Sequence, residues 1–151
     1  MKNKLILYDA DCLVCNRFID FVIKNDKRND YYIIDNSKET ISFLHNFDIK
    51  VKDVDSIRVI DDNKILYYSD AVIDIVSNVK YKRFSYFKCI PRFLRNGLYK
   101  LFARNRKYFQ KSACNLPLEK DLSKILSVKN DREKFEKILG NGSKAFQKNS
   151  I

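Results

Sequence analysis

Two thiols stand three positions apart in Tyr8-Asp9-Ala10-Asp11-Cys12-Leu13-Val14-Cys15, directly after the apolar run Leu5-Ile6-Leu7. The run reads as a buried strand, the acidic residues as a tight turn, and the cysteines as the opening turn of a helix. At that spacing both sulfurs lie on one helix face, close enough to close a disulfide. A helix N-terminus also offers unsatisfied N–H groups and a partial positive charge, which favour a thiolate. Cysteines in such positions have pKa values of roughly 3.5–7.5, against about 8.5 for a free thiol. The thiolate is the form that attacks a disulfide. The pattern therefore points to a reversible dithiol/disulfide pair.

Within it, Cys12 comes first and is expected to be the more exposed, hence the attacking sulfur. Cys15, one turn further in, would resolve the mixed disulfide. Asp11 is placed to cap the helix, where its charge would oppose a thiolate at Cys12. Asp9, at the strand end, would either relay a proton during resolution or tie the turn together by hydrogen bonds. Two other chemistries stay open: zinc held by Cys12, Cys15 and Cys114, or two cysteines simply buried in a core. Cys89 is expected to be structural, and Cys114 either buried or a third redox thiol. His45, the single histidine, falls on a helical stretch with no nucleophile paired to it. The chain has no P-loop, no glycine-rich dinucleotide fingerprint and no metal-ligand helix, so no cofactor is expected.

The elements that must hold the thiols can be read in order. A strand at 4–8 precedes a helix at 12–25, whose Phe18, Ile19, Phe21, Val22 and Ile23 give it a broad apolar face. Tyr31-Tyr32-Ile33-Ile34-Asp35 reads as a second strand, parallel to the first because a helix intervenes. A helix at 37–46 follows, with Ile41, Phe43, Leu44 and Phe47 inward. A strand at 55–60 turns through Asp61-Asp62-Asn63-Lys64 into an antiparallel strand at 65–68. Ser69 then looks like the N-cap of a helix reaching about Asn78. The order is β-α-β-α-β-β-α, a mixed α/β domain.

Leu7-Tyr8-Asp9-Ala10-Asp11-Cys12-x-x-Cys15 resembles the signature of the DCC family of thiol-disulfide oxidoreductases, also called YuxK-like. Ser69-Asp70-Ala71, Ile90-Pro91-Arg92, Ala103-Arg104-Asn105-Arg106 and Ala113-Cys114-x-Leu116-Pro117 match it too, in order. That family usually has Tyr-Asp-Gly-Asp-Cys-Pro-x-Cys. This chain carries Ala10 in place of the glycine and Leu13-Val14 in place of the proline pair, so neither glycine's positive φ nor a helix-starting proline is available. The resemblance implies a thioredoxin-like fold with a basic helical C-terminal extension. It also implies thiol-disulfide oxidoreductase activity of the protein-disulfide reductase type. The partners would be a protein or small-molecule disulfide and a reductant. Residues 1–117 would form this domain, including a basic helical segment at 80–111. A short helical extension at 118–140 and a flexible tail at 141–151 would follow.

Charge divides the chain. Residues 1–75 hold 11 Lys/Arg and 14 Asp/Glu, while residues 76–151 hold 19 and 5. Between Lys80 and Lys111 there are 11 basic residues and no acidic one, interleaved with Phe and Tyr. Pro91 is expected to begin a helix running to about Phe109. Its Leu94, Leu98, Leu101, Phe102 and Phe109 would pack inward, and Arg95, Arg104, Arg106 and Lys107 would face out. The rival function is a non-catalytic thioredoxin-like binding protein whose basic half contacts nucleic acid or an anionic membrane surface. Beyond the extension, Pro117 is expected to open a short helix to about Leu126, and Asn130 with Glu133 a capping box for another. The apolar run near the start is too short for a signal-peptide core of roughly 7–15 residues. No stretch approaches the about 20 apolar residues of a membrane span. Cytoplasmic residence is the expectation, and four cysteines in a reducing compartment suit catalysis, metal or burial.

Overall fold

The computed structural model describes residues 4–47, 49–52, 56–61, 64–109, 124–128, 130–131, 133–135 and 137–138, with backbone alone for 106–109. The elements run β1 (Lys4–Tyr8), α1 (Leu13–Asn25), β2 (Tyr31–Asp35), α2 (Lys38–Asn46), β3 (Arg58–Asp61), β4 (Lys64–Tyr67) and α3 (Tyr68–Val79). A 3₁₀ segment (Lys82–Cys89) and the long helix α4 (Arg92–Phe109) follow. This is a mixed α/β fold, consistent with the thioredoxin-like expectation.

The four strands form one mixed sheet in the order β2-β1-β3-β4. β1 pairs parallel with β2 and antiparallel with β3, and β3 pairs antiparallel with β4. β1 is thus central, and its run of apolar residues is buried on both faces. Alternation sorts its side chains. Ile6 and Tyr8 join Ile33, Val59, Ile19 and Ile75 in a core beneath α1 and α3. Leu5 and Leu7 join Ile34, Ile60, Phe43 and Leu44 in a second core beneath α2. Leu126 and Phe135 complete that second core. Both cysteines of the pair belong to the first.

Several expectations need correction. Ser69 does not cap α3; the N-cap is Tyr67, without a side-chain hydrogen bond. The Ser69 hydroxyl instead donates to Asn96 Oδ1 at 2.6 Å. Cys89 is exposed rather than structural. Ile125 forms a parallel bridge with Ile33 beside β2, so the expected helix to Leu126 is extended at its end. Cys114 and Pro117 lie outside the described residues. α4 runs as expected from just after Pro91 to Phe109, but Arg95 and the leucines exchange the sides expected of them. Arg95 is 7% exposed, whereas Leu98 is 63% exposed and Leu94 and Leu101 also face out. The reason is hydrogen bonding: inward acceptors take the Arg95 guanidinium, and Asn96 and Tyr99 share that side of the helix.

A polar knot locks α3 to the sheet. The Tyr31 hydroxyl donates to Asp74 Oδ2 at 3.1 Å and accepts from Asn78 Nδ2 at 3.1 Å. Lys4 Nζ lies 2.8 Å from the same carboxylate oxygen. Burial first, and then the Asp74 charge, push the Tyr31 phenol well above its ordinary 10.0. The folded protein thus holds this proton more firmly than the unfolded chain does. Its contribution to stability is complete below pH 10 and is lost as pH rises above it. In Tyr31→Phe, the fall in unfolding free energy above pH 10 should be shallower by up to about 1.4 kcal/mol per pH unit. Denaturant titrations of both proteins between pH 9 and 11.5 measure this; parallel curves would contradict it.

Candidate active site

The site begins where β1 ends. Asp9 Oδ1 accepts the Asp11 N–H at 3.0 Å, and the Asp9 carbonyl accepts the Cys12 N–H at 3.2 Å. Asn16 Nδ2 donates to the Ala10 carbonyl at 2.9 Å, fastening the turn to α1. Among the described residues positive φ occurs outside glycine at Asn29 and Tyr68, so Ala10 holds its turn with an ordinary backbone. The Asp9 carboxylate thus holds a hydrogen bond across the turn.

Asp11 does not cap α1. Cys12 has extended dihedrals, φ −96° and ψ 111°, and is itself the N-cap. Its Sγ accepts the Cys15 N–H at 3.3 Å, and its carbonyl accepts the Asn16 N–H at 2.9 Å. The first sulfur thus occupies the place where a capping oxygen would sit, among the orphan donors of the first helical turn. The two cysteines lie near each other, both with free thiols. Their exposure runs opposite to expectation: Cys12 is 0% exposed and Cys15 is 8% exposed. Cys12 stands just ahead of α1 as its N-cap, and Tyr99, Phe102 and Ala103 of α4 line the same cavity as the pair.

The pair faces a cavity of about 260 Å³. Val14 and Phe18 of α1 line one side, Tyr99, Phe102 and Ala103 of α4 the other, and Ile57 closes it. Among the described residues, none that lines it carries a charged side chain. The Ile57 N–H donates to the Tyr99 hydroxyl at 3.2 Å. Tyr99 is further held edge-on against the Tyr68 ring, with centroids 5.8 Å apart. Tyr68 has a φ of 52°, a left-handed backbone that costs roughly 1–2 kcal/mol in a non-glycine residue. Behind the pair, burial first, and then Asp35, Asp20 and Cys15, push the Tyr8 phenol above its ordinary 10.0.

What keeps α4 over the thiols is a latch at its start. Arg95 Nε donates to the Ile90 carbonyl at 2.8 Å. Its Nη1 reaches Ser69 Oγ at 3.2 Å and Asp70 Oδ1 at 2.8 Å. Arg92 Nε lies 3.3 Å from the other Asp70 oxygen. Ser69-Asp70 and Ile90-Pro91-Arg92, far apart in the chain, meet here. Sequence reasoning missed Arg95 and Tyr99; the one signal for Arg95 was a basic residue following a proline within reach of an acidic helix start.

His45 sits in the last turn of α2 and does not line the cavity. Among the described residues no group of three or more His, Cys, Asp or Glu gathers where it could hold a metal ion. Arg104 is exposed, as expected.

The two cysteines thus stand near each other at a helix mouth, set against a mixed α/β sheet. The chain belongs to the DCC1-like thiol-disulfide oxidoreductase family, whose model matches residues 6–112. It is also similar to the Uncharacterized protein YuxK of Bacillus subtilis (strain 168), at 29% identity over 122 residues. That match covers 78% of this chain and 89% of the relative. No solved structure gives a significant match.

The latch makes a prediction. Asp70→Ala leaves a buried guanidinium without its carboxylate and should cost on the order of 3 kcal/mol. With α4 loosened, alkylation of Cys12 and Cys15 by iodoacetamide should accelerate. Urea unfolding and alkylation rates followed by mass spectrometry test both effects; unchanged alkylation would show that α4 does not shield the thiols.

Proposed function

We propose that the protein is a thioredoxin-like thiol–disulfide oxidoreductase of the reductase type, working through Cys12 and Cys15. The observation that carries this reading is the hydrogen bond from the Cys15 N–H to Cys12 Sγ at the mouth of α1. The Cys12 thiolate attacks one sulfur of a substrate disulfide. That bond breaks, and the departing thiolate takes up a proton. The Cys15 thiolate then attacks Cys12 Sγ, forming the Cys12–Cys15 disulfide and releasing the second substrate thiolate, which is protonated in turn. Two electrons pass to the substrate, and a dithiol reductant resets the pair. The order rests on the hydrogen bond that the Cys15 N–H donates to Cys12 Sγ, since exposure alone would favour Cys15. Asp9 acts as a positioning residue for the turn, and Asp11 contributes negative charge beside it. Residues 1–117 act as one domain whose basic helical part walls the site.

Mass spectrometry after oxidation should find a Cys12–Cys15 disulfide that opens on reduction. Cys15→Ser should accumulate mixed disulfides from a cell extract and Cys12→Ser should not. The reverse pattern would exchange the two roles, and full reductase activity in both variants would refute the assignment.

A second reading concerns partners, and the outward leucines favour it. Leu94, Leu98 and Leu101 recur along one side of α4, next to exposed Lys100 and Arg104. Phosphates of nucleic acid satisfy the basic residues but leave the leucines in water. An anionic lipid surface satisfies both. Among the described residues no helix is long and apolar enough to cross a membrane, so the contact would be superficial. The protein should co-sediment with vesicles containing phosphatidylserine but not with pure phosphatidylcholine. Leu98→Glu with Leu101→Glu should weaken this at least about ten-fold. Salt-sensitive binding to DNA without vesicle binding would overturn it.

A further inference from the structure

We infer that the disulfide reduced at this site is small and uncharged, bound in the apolar cavity between α1 and α4 rather than drawn in by the basic helix. The inference rests on reading Cys12 and Cys15 as the exchanging pair, and adds the class of substrate they meet.

Three observations carry it. The cavity is about 260 Å³, just below the roughly 300–1,000 Å³ of most ligand pockets. It admits a small group and no folded segment. Among the described residues its lining presents no charged side chain, so a carboxylate or ammonium entering it would lose water without gaining a counter-charge from them. Its one identified backbone donor, the Ile57 N–H, is already taken by the Tyr99 hydroxyl. An extended peptide could accept the Ile57 N–H only by displacing Tyr99, which packs edge-on against the Tyr68 ring.

The basic segment makes the opposite demand. Lys100 and Arg104 are exposed on α4, and long-range attraction would favour an anionic disulfide. Arg95, the basic side chain turned inward, is committed to Asp70, Ser69 and Ile90 and does not line the cavity. Among the described side chains of α4, charge therefore lies outside the space in front of the sulfurs. Selection at the reacting atoms falls to the apolar walls.

The reaction balances without a further reagent in a single turnover. The reduced protein and one disulfide yield the Cys12–Cys15 disulfide and two substrate thiols. Two electrons and two protons move from protein to substrate.

The test uses the full-length reduced protein and three linear disulfides of similar size. Bis(2-hydroxyethyl) disulfide is neutral, dithiodiglycolate is anionic and cystamine is cationic. Loss of protein thiols is followed in excess disulfide, and each rate is divided by that of dithiothreitol with the same disulfide. The neutral compound should react at least about ten-fold faster than either charged one on this scale. Ala103→Leu, which fills the cavity from α4, should erase most of that preference. Diamide should still oxidise its Cys12–Cys15 pair, reporting an intact dithiol. A faster anionic compound, or three equal normalised rates, would overturn the substrate class while leaving the exchanging pair intact. No reaction with any of the three, in protein whose thiols titrate as free, would overturn the underlying reading and this inference with it.

Discussion

The buried guanidinium of Arg95 holds this site together. Its five N–H donors form a fixed fork, and the chain supplies acceptors from three places: Ile90, Ser69 and Asp70. A guanidinium buried here needs a counter-charge where it lies. Asp70 supplies it, and in doing so binds the start of α4 to the start of α3. Tyr99 and Ala103, further along α4, are then set over α1 and its thiols. Removing the ion pair would leave both cysteines in place but open the space before them.

The dithiol depends on a second local choice. A carboxylate cap at Asp11 would have left Cys12 as the first residue of the helix, turned outward. With one more extended residue, the sulfur itself becomes the cap and takes the Cys15 amide. Hydrogen bonding to the sulfur and exposure of the sulfur are thereby set against each other. Cys12 gains a donor and loses contact with water, while Cys15 keeps the small accessible area that the pair retains.

Much of this was legible in the residues. The apolar run at Leu5-Ile6-Leu7 and the aromatic and β-branched run at Tyr31–Asp35 became β1 and β2 because burial on the sheet rewards such runs whatever lies elsewhere in the chain. The cysteine pair was legible for the same reason: its spacing and its place after a strand are local. The inward face of α4 was not. Counting leucines predicts the wrong side, because the pattern carries no record that Asp70, Ser69 and the Ile90 carbonyl converge on Arg95. Cap identity failed likewise, since Asp11 and Cys12 both offer an acceptor and the choice turns on one residue's ψ. Ser69 reads as a cap by type, yet its hydroxyl is drawn off by Asn96, 27 positions later. Long-range polar pairing is what a single chain's local pattern hides.

The bridge from Ile125 to Ile33 has a consequence of its own. With the order β2-β1-β3-β4, β2 is a rim of the sheet, and its Tyr-Tyr-Ile-Ile sequence is the kind that adds strands from neighbouring molecules. The Leu126 N–H, bound to the Ile33 carbonyl at 2.8 Å, occupies that rim from within the same chain. Lys124 fastens the segment by donating to the Asp26 carbonyl at 2.8 Å. A chain cut after α4 would bare that border and strip Leu126 and Phe135 from the core beneath α2, so self-association along β2 would come together with a loss of stability.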